Sequence, residues 1–385
     1  MYKKNVVFAA ACIGMLLFGM VFLSLGAVLT FIKETYSLDD LSAGSLTALL
    51  PFGILLGSLV FGPSVDRYGY KIVLIISSVL IALAFEMIAY SSSFTLLQGA
   101  FFLIGIGGGV INGATNALVS DITSEDKGAN LSFLGVFFGI GAMGMPALIG
   151  SLSGIISYAT IIAAVGIFIA APIVFFIIIK FPVPKYPQGF PIKEVPKLFN
   201  VTLLLIAFVL LFESSLEGIT NNWTTSYLEQ HLQVDVSAAL FALTLLNAAL
   251  LGARIILGFL LKKVAPYIIL IICLLLILIG GAFLLFSTNL YMAYTGIALL
   301  GMGFAPGFPV ILGYTGELYP KLTGTAFSFA ITFALIGNTL FNAFVGFISQ
   351  SYGIDKFPLV IITAVITMML VLFSLLKRIS TQIKI

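Results

Sequence analysis

Three acidic residues lie inside long apolar stretches of this 385-residue sequence, where a carboxylate has few polar neighbours. Glu86 lies in one stretch, and Glu213 and Glu217 lie together in another. In a helix, a spacing of four places the last two side chains on one face, with Asn221 one turn further on. Two close carboxylates in a medium of low dielectric constant resist simultaneous ionisation. The chemistry predicted for this face is therefore reversible proton binding, with Glu217 as the carrier and Glu213 in support. No basic residue is predicted in any span near the depth of Glu217, so no ion pair is expected to hold it ionised.

Uncharged polar side chains recur at helical spacing in other apolar stretches. Asn112, Asn116 and Ser120 form one stripe, beside a run of glycines that favours close helix packing. Amides, hydroxyls and aromatic rings with few charges suit a neutral polyhydroxylated molecule, although the same amides could instead join helices. Trp223, the sole tryptophan, fits either stacking on a sugar or anchoring a helix at the boundary of an apolar layer. The residues expected to bind such a molecule are Asn112, Asn116, Asn221, Trp223, Asn247, Asn338 and Asn342.

The composition indicates what surrounds these groups. Hydrophobic residues make up 61% of the chain and charged residues only 9%, against about 25% charged in an ordinary soluble domain. A buried core cannot absorb that much apolar surface, so a lipid bilayer is the predicted solvent. The net charge of +3 forms no basic face, which argues against nucleic acid as a partner. Cys12 and Cys273 lie in apolar runs and predict no disulfide framework.

A hydropathy window of about 19 residues predicts twelve membrane-spanning helices. The longest polar connection, residues 180–200, contains five prolines and predicts a linker between two halves of six helices. The predicted domains are residues 1–180, a linker at 181–200 and residues 201–385. The predicted spans are 6–32, 41–62, 71–92, 96–120, 130–152, 158–180, 200–228, 236–261, 267–287, 290–315, 323–349 and 357–376.

The basic residues predict an orientation for these spans. Sixteen of the eighteen Lys and Arg residues fall on one side of the predicted membrane, with Lys33 and Lys356 as the exceptions. Arg254 is assigned to the majority side because it lies near the end of its predicted span. Cytoplasmic loops carry an excess of basic residues. The termini and the linker are therefore predicted to be cytoplasmic, in a multi-pass protein of the cell (inner) membrane.

The two halves of the sequence repeat weakly. A common offset at distant places is difficult to obtain from composition alone, so we interpret it as an internal duplication. A shift of 196 residues aligns Gly62 with Gly258, Leu74 with Leu270, Asp121 with Glu317, Gly128 with Gly324, Ser132 with Ser328, Gly141 with Gly337 and Gly150 with Gly346.

The segment GPSVDRYGYK, residues 62–71, places several charges between the second and third predicted spans. Its spacing matches the pattern G-x-x-x-D-R-x-G-x-K/R, through which the sequence resembles the major facilitator superfamily of transporters. The resemblance implies an all-α membrane fold of two pseudo-symmetric six-helix bundles, with alternating access and a substrate site near the middle of the membrane. It also implies that this segment locks the cytoplasmic side of the outward-open state.

The resemblance defines a predicted cytoplasmic gate. We expect Asp66 to bind a helix N-terminus from the other half, and Arg67 to pair with Asp121 at the end of span four. Arg254 and Glu317 are expected to form a looser counterpart in the second half. The predicted gate residues are Gly62, Asp66, Arg67, Gly69, Lys71, Asp121, Arg254 and Glu317.

A narrower resemblance connects the chain with the fucose/glucose-galactose permease branch. It is carried by residues 18–46 and 116–150, and by EGITNNWTTSYL at 217–228. The branch implies proton-coupled symport of a monosaccharide, and its span-seven acid corresponds to Glu217. The chain departs from the branch at Thr115, where sugar-transporting members tend to carry an acid.

The leading hypothesis is a secondary active transporter that imports a small neutral solute, such as a monosaccharide, with protons; sodium remains an alternative coupling ion. The second hypothesis is a proton-coupled efflux antiporter for hydrophobic compounds. In either case the acids could be satisfied structural groups, and Glu86, on a helix peripheral in this fold, favours that alternative most. No enzyme, cofactor or metal site is expected, because the sole histidine, His231, is predicted on the outer side and no Walker sequence is present. We expect a monomer in the bilayer.

Overall fold

The computed structural model of the protein describes residues 2–38, 40–152, 154–189, 191 and 195–382. These ranges are mostly helical and contain no β-strand. They include twelve segments long and apolar enough to cross a membrane, which confirms the predicted all-α fold of twelve spans. Part of the predicted linker at 181–200 lies outside the described residues, as does Lys193, one of the basic residues assigned to the side of the termini.

Seven helices form the first six spans. Ser93 and Ser157 cap α4 and α6 by accepting backbone hydrogen bonds, as is typical of serine at a helix N-terminus. Only Ile169 separates α6 from α7, and the two helices together form span six. The bounds are α1 Lys4–Tyr36, α2 Asp40–Tyr68, α3 Tyr70–Ala89, α4 Phe94–Ile122, α5 Lys127–Leu152, α6 Tyr158–Phe168 and α7 Ala170–Ile178.

The second half begins with a short helical turn and continues with six more spans. Span ten is broken between α12 and α13 at Ala305 and Pro306, because proline has no N–H to continue the helix. A 3₁₀ turn, Ile354–Lys356, precedes the last helix. The bounds are α8 Val195–Leu198, α9 Val201–His231, α10 Val236–Leu260, α11 Pro266–Leu285, α12 Leu290–Phe304, α13 Gly307–Leu318, α14 Thr323–Tyr352 and α15 Phe357–Gln382.

The polar segment at 62–71 is mostly helical. Helix α2 continues to Tyr68, so Asp66 and Arg67 belong to its last turn, and Gly69 alone separates α2 from α3. The φ angle of Gly69 is +81°, a conformation that only glycine adopts without strain. A Cβ atom there would also lie 3.0 Å from Cγ of Pro184. Gly69 therefore permits both the sharp turn and the approach of the linker.

Close packing of α2 against α4 follows from glycines on both helices. A Cβ atom at Gly53 or Gly57 would overlap backbone oxygens of α4, and one at Gly105 or Gly109 would overlap backbone oxygens of α2. Small residues four positions apart let two membrane helices approach to backbone contact. This is the packing role that the glycine run of span four suggested.

The chain divides into two compact units. Unit 1 contains Met1–Ser124, Leu134–Lys193 and Pro320–Phe329, and unit 2 contains Glu125–Phe133, Glu194–Tyr319 and Ala330–Ile385. Each unit thus includes a short segment from the opposite half of the sequence. A shift of 196 residues maps the segment at 125–133 onto 321–329, so the two segments are equivalent in the predicted repeat. The predicted domain limits stay a prediction.

Candidate functional site

Helix α9 presents its polar residues on two faces. Glu213, Glu217 and Asn221 follow each other at intervals of four and lie on one face. Ser214 and Asn222 lie on the adjacent face, since each residue of an α-helix is rotated by about 100° from the one before it. The first face contacts α10 and the α12–α13 break, and the second contacts α14.

The first face contains an ion pair inside the membrane-spanning segments. Oε2 of Glu217 lies 3.8 Å from Nη2 of Arg254, which is too long for a hydrogen bond. The exposed fraction is 26% for the Glu217 side chain and 10% for the Arg254 side chain. The prediction that no basic residue approaches Glu217 is therefore wrong. The long aliphatic stem of an arginine carries its charge far from its backbone, and here it carries the guanidinium along the span.

Glu213 has a different environment, although it is only one helical turn away. Its side chain is 1% exposed, and its Oε1 atom has no hydrogen-bond partner among the described residues. The carboxyl group lies directly against Gly307, where a Cβ atom would overlap it. The adjoining crevice is too small to hold a water molecule, so Glu213 is enclosed where Glu217 is partly open. The crevice is lined by Leu270, Cys273, Leu274, Gly303, Pro306, Gly307 and Met368.

Two amides extend this site. Nδ2 of Asn247 donates to Oδ1 of Asn221 at 3.0 Å, which joins α10 to α9. Nδ2 of Asn221 donates to the backbone oxygen of Glu217, also at 3.0 Å. Asn247 and Arg254 are seven residues apart, which places them on the same side of α10. We call Glu213, Glu217, Asn221, Asn247 and Arg254 the α9–α10 cluster.

The second face of α9 forms a hydrogen-bonded network with α14. Nδ2 of Asn338 donates to the backbone oxygen of Ser214 at 3.1 Å, and Nδ2 of Asn342 donates to Oδ1 of Asn338 at 2.8 Å. Oδ1 of Asn342 accepts from Asn222 at 2.9 Å and from the indole N–H of Trp223 at 3.2 Å. The structure therefore brings three predicted substrate residues together in helix-to-helix bonds, one of the alternatives that the sequence left open.

The predicted stripe on α4 is buried in unit 1. Nδ2 of Asn116 donates to the backbone oxygen and to Oδ1 of Asn112, at 2.9 and 3.1 Å. The two amides are therefore bonded to each other along one face of α4. The Ser120 hydroxyl lacks a hydrogen-bond partner among the described residues.

Glu86 is the third acid predicted from the sequence. It belongs to α3 of unit 1, and its Oε1 atom lies against Gly166 of α6 without a hydrogen-bond partner in the described chain. It is therefore not part of the α9–α10 cluster. The described residues also contain no group of three or more His, Cys, Asp and Glu side chains that could hold a metal ion.

Asp66 binds the first turn of α14 within unit 1. Its Oδ2 accepts from the backbone N–H and the hydroxyl of Thr325 at 2.9 and 2.7 Å. Its Oδ1 accepts from the N–H of Gly324 at 3.3 Å. The side chain is only 1% exposed. A carboxylate at a helix N-terminus satisfies free N–H groups and interacts favourably with the helix dipole, which is the contact expected for Asp66.

The expected pairing of Arg67 with Asp121 is wrong. Oδ2 of Asp121 lies 2.7 Å from Nζ of Lys185 and accepts from the hydroxyl of Tyr70 at 2.6 Å. Arg67 is exposed, with its guanidinium 5.0 Å from the ring centre of Tyr68, and makes no ion pair with any described residue. Adjacent residues of a helix point about 100° apart, so Arg67 turns outward because Asp66 turns inward.

The linker takes the place predicted for Arg67. Lys185 donates to the Thr323 hydroxyl at 2.9 Å as well as pairing with Asp121. The N–H of Tyr186 donates to the backbone oxygen of Asp66 at 3.0 Å, and Pro184 packs on Gly69. We call residues 184–186 the linker strap. The sequence pattern does not reveal it, because prolines are equally typical of a simple spacer.

The remaining gate predictions have mixed outcomes. Nζ of Lys71 donates to backbone oxygens at the end of α7. A basic side chain at a helix C-terminus binds the free carbonyl groups there and stabilises the helix. A Cβ atom at Gly62 would overlap the backbone oxygen of Gly324, so this glycine permits close approach of α2 and α14. The expected partnership of Arg254 with Glu317 is wrong. Arg254 points to Glu217 instead, and Glu317 is exposed without an ion pair in the described ranges.

Two hydrogen bonds recur at the predicted offset of 196 residues. In unit 2 the Ser132 hydroxyl donates to the backbone oxygen of Arg254 at 2.8 Å. In unit 1 the Ser328 hydroxyl donates to the backbone oxygen of Ser58. Both the donors and the acceptors are 196 residues apart, so equivalent positions of the repeat make equivalent contacts.

The comparisons with known proteins agree with this architecture. The sequence profile of the Major Facilitator Superfamily matches residues 11–337 and 203–384. The 4-hydroxybenzoate transporter PcaK of Pseudomonas aeruginosa is 30% identical over 102 residues, which cover 26% of this chain and 23% of PcaK. The chain therefore matches only about a quarter of the length of this curated relative.

Two solved structures share the fold over nearly the whole chain. The transporter FucP, in its outward conformation, has a TM-score of 0.80 at 17% identity, with 94% of this chain and 97% of FucP covered. The proton:xylose symporter XylE has a TM-score of 0.82 at 13% identity, with 98% and 96% covered. At these identities the likeness shows the fold alone. Because the family profile covers most of its length and twelve membrane-spanning helices follow each other along it, this chain belongs to the Major Facilitator Superfamily of transporters and is a multi-pass membrane protein.

Proposed function

We propose that this protein is a proton-coupled symporter that imports a solute of the monosaccharide class across the cell (inner) membrane, with both termini in the cytoplasm. The ion pair between Glu217 and Arg254, inside membrane-spanning helices, is the observation that carries the proposal. Ionisable groups at this depth are costly and are typical of ion pathways. The fold likeness to XylE, a proton:xylose symporter, supports the same direction.

Glu217 is the proton carrier in this proposal, and Glu213 supports it. The exposed quarter of the Glu217 side chain gives protons a route to its carboxylate, whereas Glu213 is enclosed. The guanidinium of Arg254 balances the negative charge of Glu217. Uptake of one proton by Glu217 removes that negative charge and releases Arg254.

The amides are proposed to recognise the hydroxyl groups of the solute. Asn221 and Asn247 serve this role beside Arg254. Asn112 and Asn116, in unit 1, are further candidates. In each pair the two amides bond to each other. Trp223, Asn338 and Asn342 are proposed to orient α9 against α14 through their mutual hydrogen bonds, and so to hold the cluster in place. No specific observation in the described residues favours sodium coupling or the efflux antiporter.

The gate proposal rests on Asp66 and the linker strap. Asp66 bonds to the start of α14, and Lys185 bonds to both Asp121 and Thr323. The bonds from Asp66 and Lys185 to the start of α14 join segments that are more than a hundred residues apart in the chain. We assign them to closure of the cytoplasmic side, because the predicted orientation places residues 62–71 and 184–186 there.

Transport into proteoliposomes tests the coupling. Purified protein is assayed with labelled L-fucose, D-xylose and D-galactose, and with the uronic acids D-galacturonate and D-glucuronate, under an imposed inward proton gradient. Glu217→Gln mimics the protonated acid, so it should keep exchange of substrate for substrate while losing gradient-driven accumulation. Glu86→Gln removes an acid from another span and serves as the matched control, which should accumulate substrate like the wild type.

Three outcomes would change the proposal. If Glu217→Gln still concentrates substrate under the proton gradient, Glu217 is not the coupling site. If Glu213→Gln alone abolishes accumulation and Glu217→Gln does not, the roles of the two acids are reversed. If no substrate of the panel accumulates in the wild type with a proton gradient but one does with a sodium gradient, proton coupling itself is wrong.

A further inference from the structure

Arg254 has more hydrogen-bonding capacity than its surroundings use. Its side chain is nine-tenths buried, and Nε has no hydrogen-bond partner among the described residues. The one ion pair found for it there is with Glu217, whose Oε2 lies 3.8 Å from Nη2. A guanidinium carries five N–H donors, and its strong partners are carboxylates that accept two parallel bonds at about 2.7–2.9 Å. Glu217 does not satisfy this geometry.

A carboxylate ligand can reach Arg254 at the exposed part of its side chain. About a tenth of Arg254 and a quarter of Glu217 remain exposed, beside the amides of Asn221 and Asn247. A guanidinium exposed to lipid would be very unfavourable, so this side must be reachable from water. A ligand that enters there meets one positive charge and two amides.

We propose that Arg254 binds a carboxylate of the substrate, so that the transported solute is a sugar acid whose hydroxyl groups contact the amides. This inference rests on the proposed proton-coupled symport and specifies its substrate class. The neutral sugar expected from the sequence would leave the guanidinium donors unused. A phosphate ester would bring about two negative charges, whereas the site offers one guanidinium.

Glu217 and the substrate carboxylate then alternate as partners of Arg254. When Glu217 takes up a proton, its charge is lost and the guanidinium becomes available to the incoming carboxylate. When the substrate leaves, Glu217 releases the proton and pairs with Arg254 again. One proton and one monoanion move together, so the transport cycle carries no net charge.

The other groups near the pair are compatible with this exchange. Glu213 interacts electrostatically with both Glu217 and Arg254, and its enclosure keeps it from binding Arg254 in place of the substrate. Lys127, in the 125–133 segment, donates to the backbone oxygen of Gly316 and interacts electrostatically with Glu317. The titratable and charged groups on the elements around α9 and α10 are Tyr267 and Cys273 on α11, Tyr291 and Tyr294 on α12, Tyr314 and Glu317 on α13, Tyr352 on α14, Asp355 and Lys356 in the 3₁₀ turn, and Lys377 and Arg378 on α15.

Matched pairs of sugars test the substrate class. D-galactose and D-galacturonate, and likewise D-glucose and D-glucuronate, differ only by a carboxylate in place of the hydroxymethyl group. We expect at least one acid to raise the Tm of the purified protein and to enter proteoliposomes at least tenfold faster than its neutral counterpart. Clamping the membrane potential with potassium and valinomycin should leave acid uptake unchanged. If neutral sugars bind and both acids do not, or if no acid binds, the inference is wrong.

Variants test the role of Arg254. Arg254→Gln should weaken binding of the acid by at least a hundredfold, and Arg254→Lys should restore part of it, because a lysine keeps the charge without the bidentate geometry. Arg378→Gln removes the same charge near the end of α15 and should bind the acid like the wild type. The Tm of each ligand-free variant shows whether it is folded. If a folded Arg254→Gln protein binds the acid with wild-type affinity, Arg254 is not the anion site.

The pH dependence separates this inference from the proposed coupling. In the wild type, affinity for the acid should fall as the pH rises, by up to about tenfold per pH unit for one coupled proton. Glu217→Gln should bind the acid with an affinity independent of pH, because its side chain never competes for Arg254. If D-galactose accumulates under a proton gradient and no acid binds, the coupling stands and the sugar-acid inference falls. If the acid binds and exchanges but never accumulates, the coupling falls and the anion site stands.

Discussion

Asp66 and Arg67 are adjacent in the chain, yet only Asp66 is buried in a hydrogen-bonded site. Glu217 and Glu213 also differ, because Glu217 is partly exposed and paired with Arg254, whereas Glu213 is enclosed and unpaired. At the scale of single residues, the surroundings that packing gives a side chain decide whether its charge is bonded, enclosed or open to water. The identity of the residue does not decide it.

The contacts of Asp66 predict the effect of removing its charge. Asp66→Asn keeps an acceptor oxygen but loses the charge that faces the start of α14, which should weaken this contact by about 1 kcal/mol. If the contact closes the gate, the maximal rate of uptake should fall several-fold while substrate affinity changes little. Initial-rate and binding measurements check this result, with the exposed Asp126→Asn as the control. Weaker binding at an unchanged rate would contradict the gate role.

At the scale of secondary-structure elements, the proline-containing linker makes contacts as specific as those of a helix. Residues 184–186 make contacts with α2, with the end of α4 and with the start of α14. Prolines restrict the conformations open to the chain before it docks, so less entropy is lost on docking. The linker strap is therefore a structural part of unit 1.

Lys185→Met should loosen the linker strap. The variant removes the ion pair with Asp121 and the hydrogen bond to Thr323, and loss of charge-assisted bonds of this kind costs about 1–3 kcal/mol. We expect limited chymotrypsin to cleave the linker several-fold faster than in the wild type. Lys180→Met, an exposed change in the same connection, should be cleaved at the wild-type rate. Equal cleavage of the two variants would show that the contacts of Lys185 do not hold the linker.

The close approach of α2 and α14 predicts a second effect at the scale of elements. A Cβ atom at Gly62 would lie 2.6 Å from Cβ of Ser328, and closer still to the backbone oxygen of Gly324. Gly62→Ala should therefore separate α2 from α14 and lower the Tm of the purified protein. Gly144, in α5, has open space around it, so Gly144→Ala should leave the Tm unchanged or raise it slightly. A Gly62→Ala protein as stable as the wild type would contradict the close contact.

At the scale of the whole molecule, the duplication is visible in equivalent contacts. Unit 2 contains Glu125–Phe133 from the first half of the sequence, and unit 1 contains the equivalent segment, Pro320–Phe329, from the second half. The equivalent serines Ser132 and Ser328 bond to equivalent backbone oxygens. The functional side chains do not repeat in the same way. At the offset of 196 residues, Asp66 corresponds to Lys262, and Arg254 corresponds to Ser58. The duplication thus preserves the packing, while the charges of the two halves have diverged.

The predicted orientation is testable on intact cells. After replacement of Cys12 and Cys273 by serine, a cysteine at Lys356 should react with a membrane-impermeant maleimide added outside. A cysteine at Lys321 should react only after the cells are permeabilised, because the positive-inside rule places it in the cytoplasm. Labelling with the opposite pattern would invert the orientation, and with it the assignment of the gate to the cytoplasmic side.

The sequence by itself determined the twelve spans, their approximate limits and the family resemblance. These properties depend on local information: apolar length against bilayer thickness, the positions of prolines and basic residues, and one short motif. It also located the acids on one face of α9, since a helix fixes the relation of residues four positions apart.

Only the tertiary structure decided which polar groups meet. Arg254 reaches Glu217, Lys185 replaces Arg67 beside Asp121, and Trp223 bonds to Asn342. These partners lie far apart in the chain, on helices whose rotation is set by packing of their whole surfaces. The pairing depends on that rotation and on the reach of each side chain, neither of which a local pattern contains.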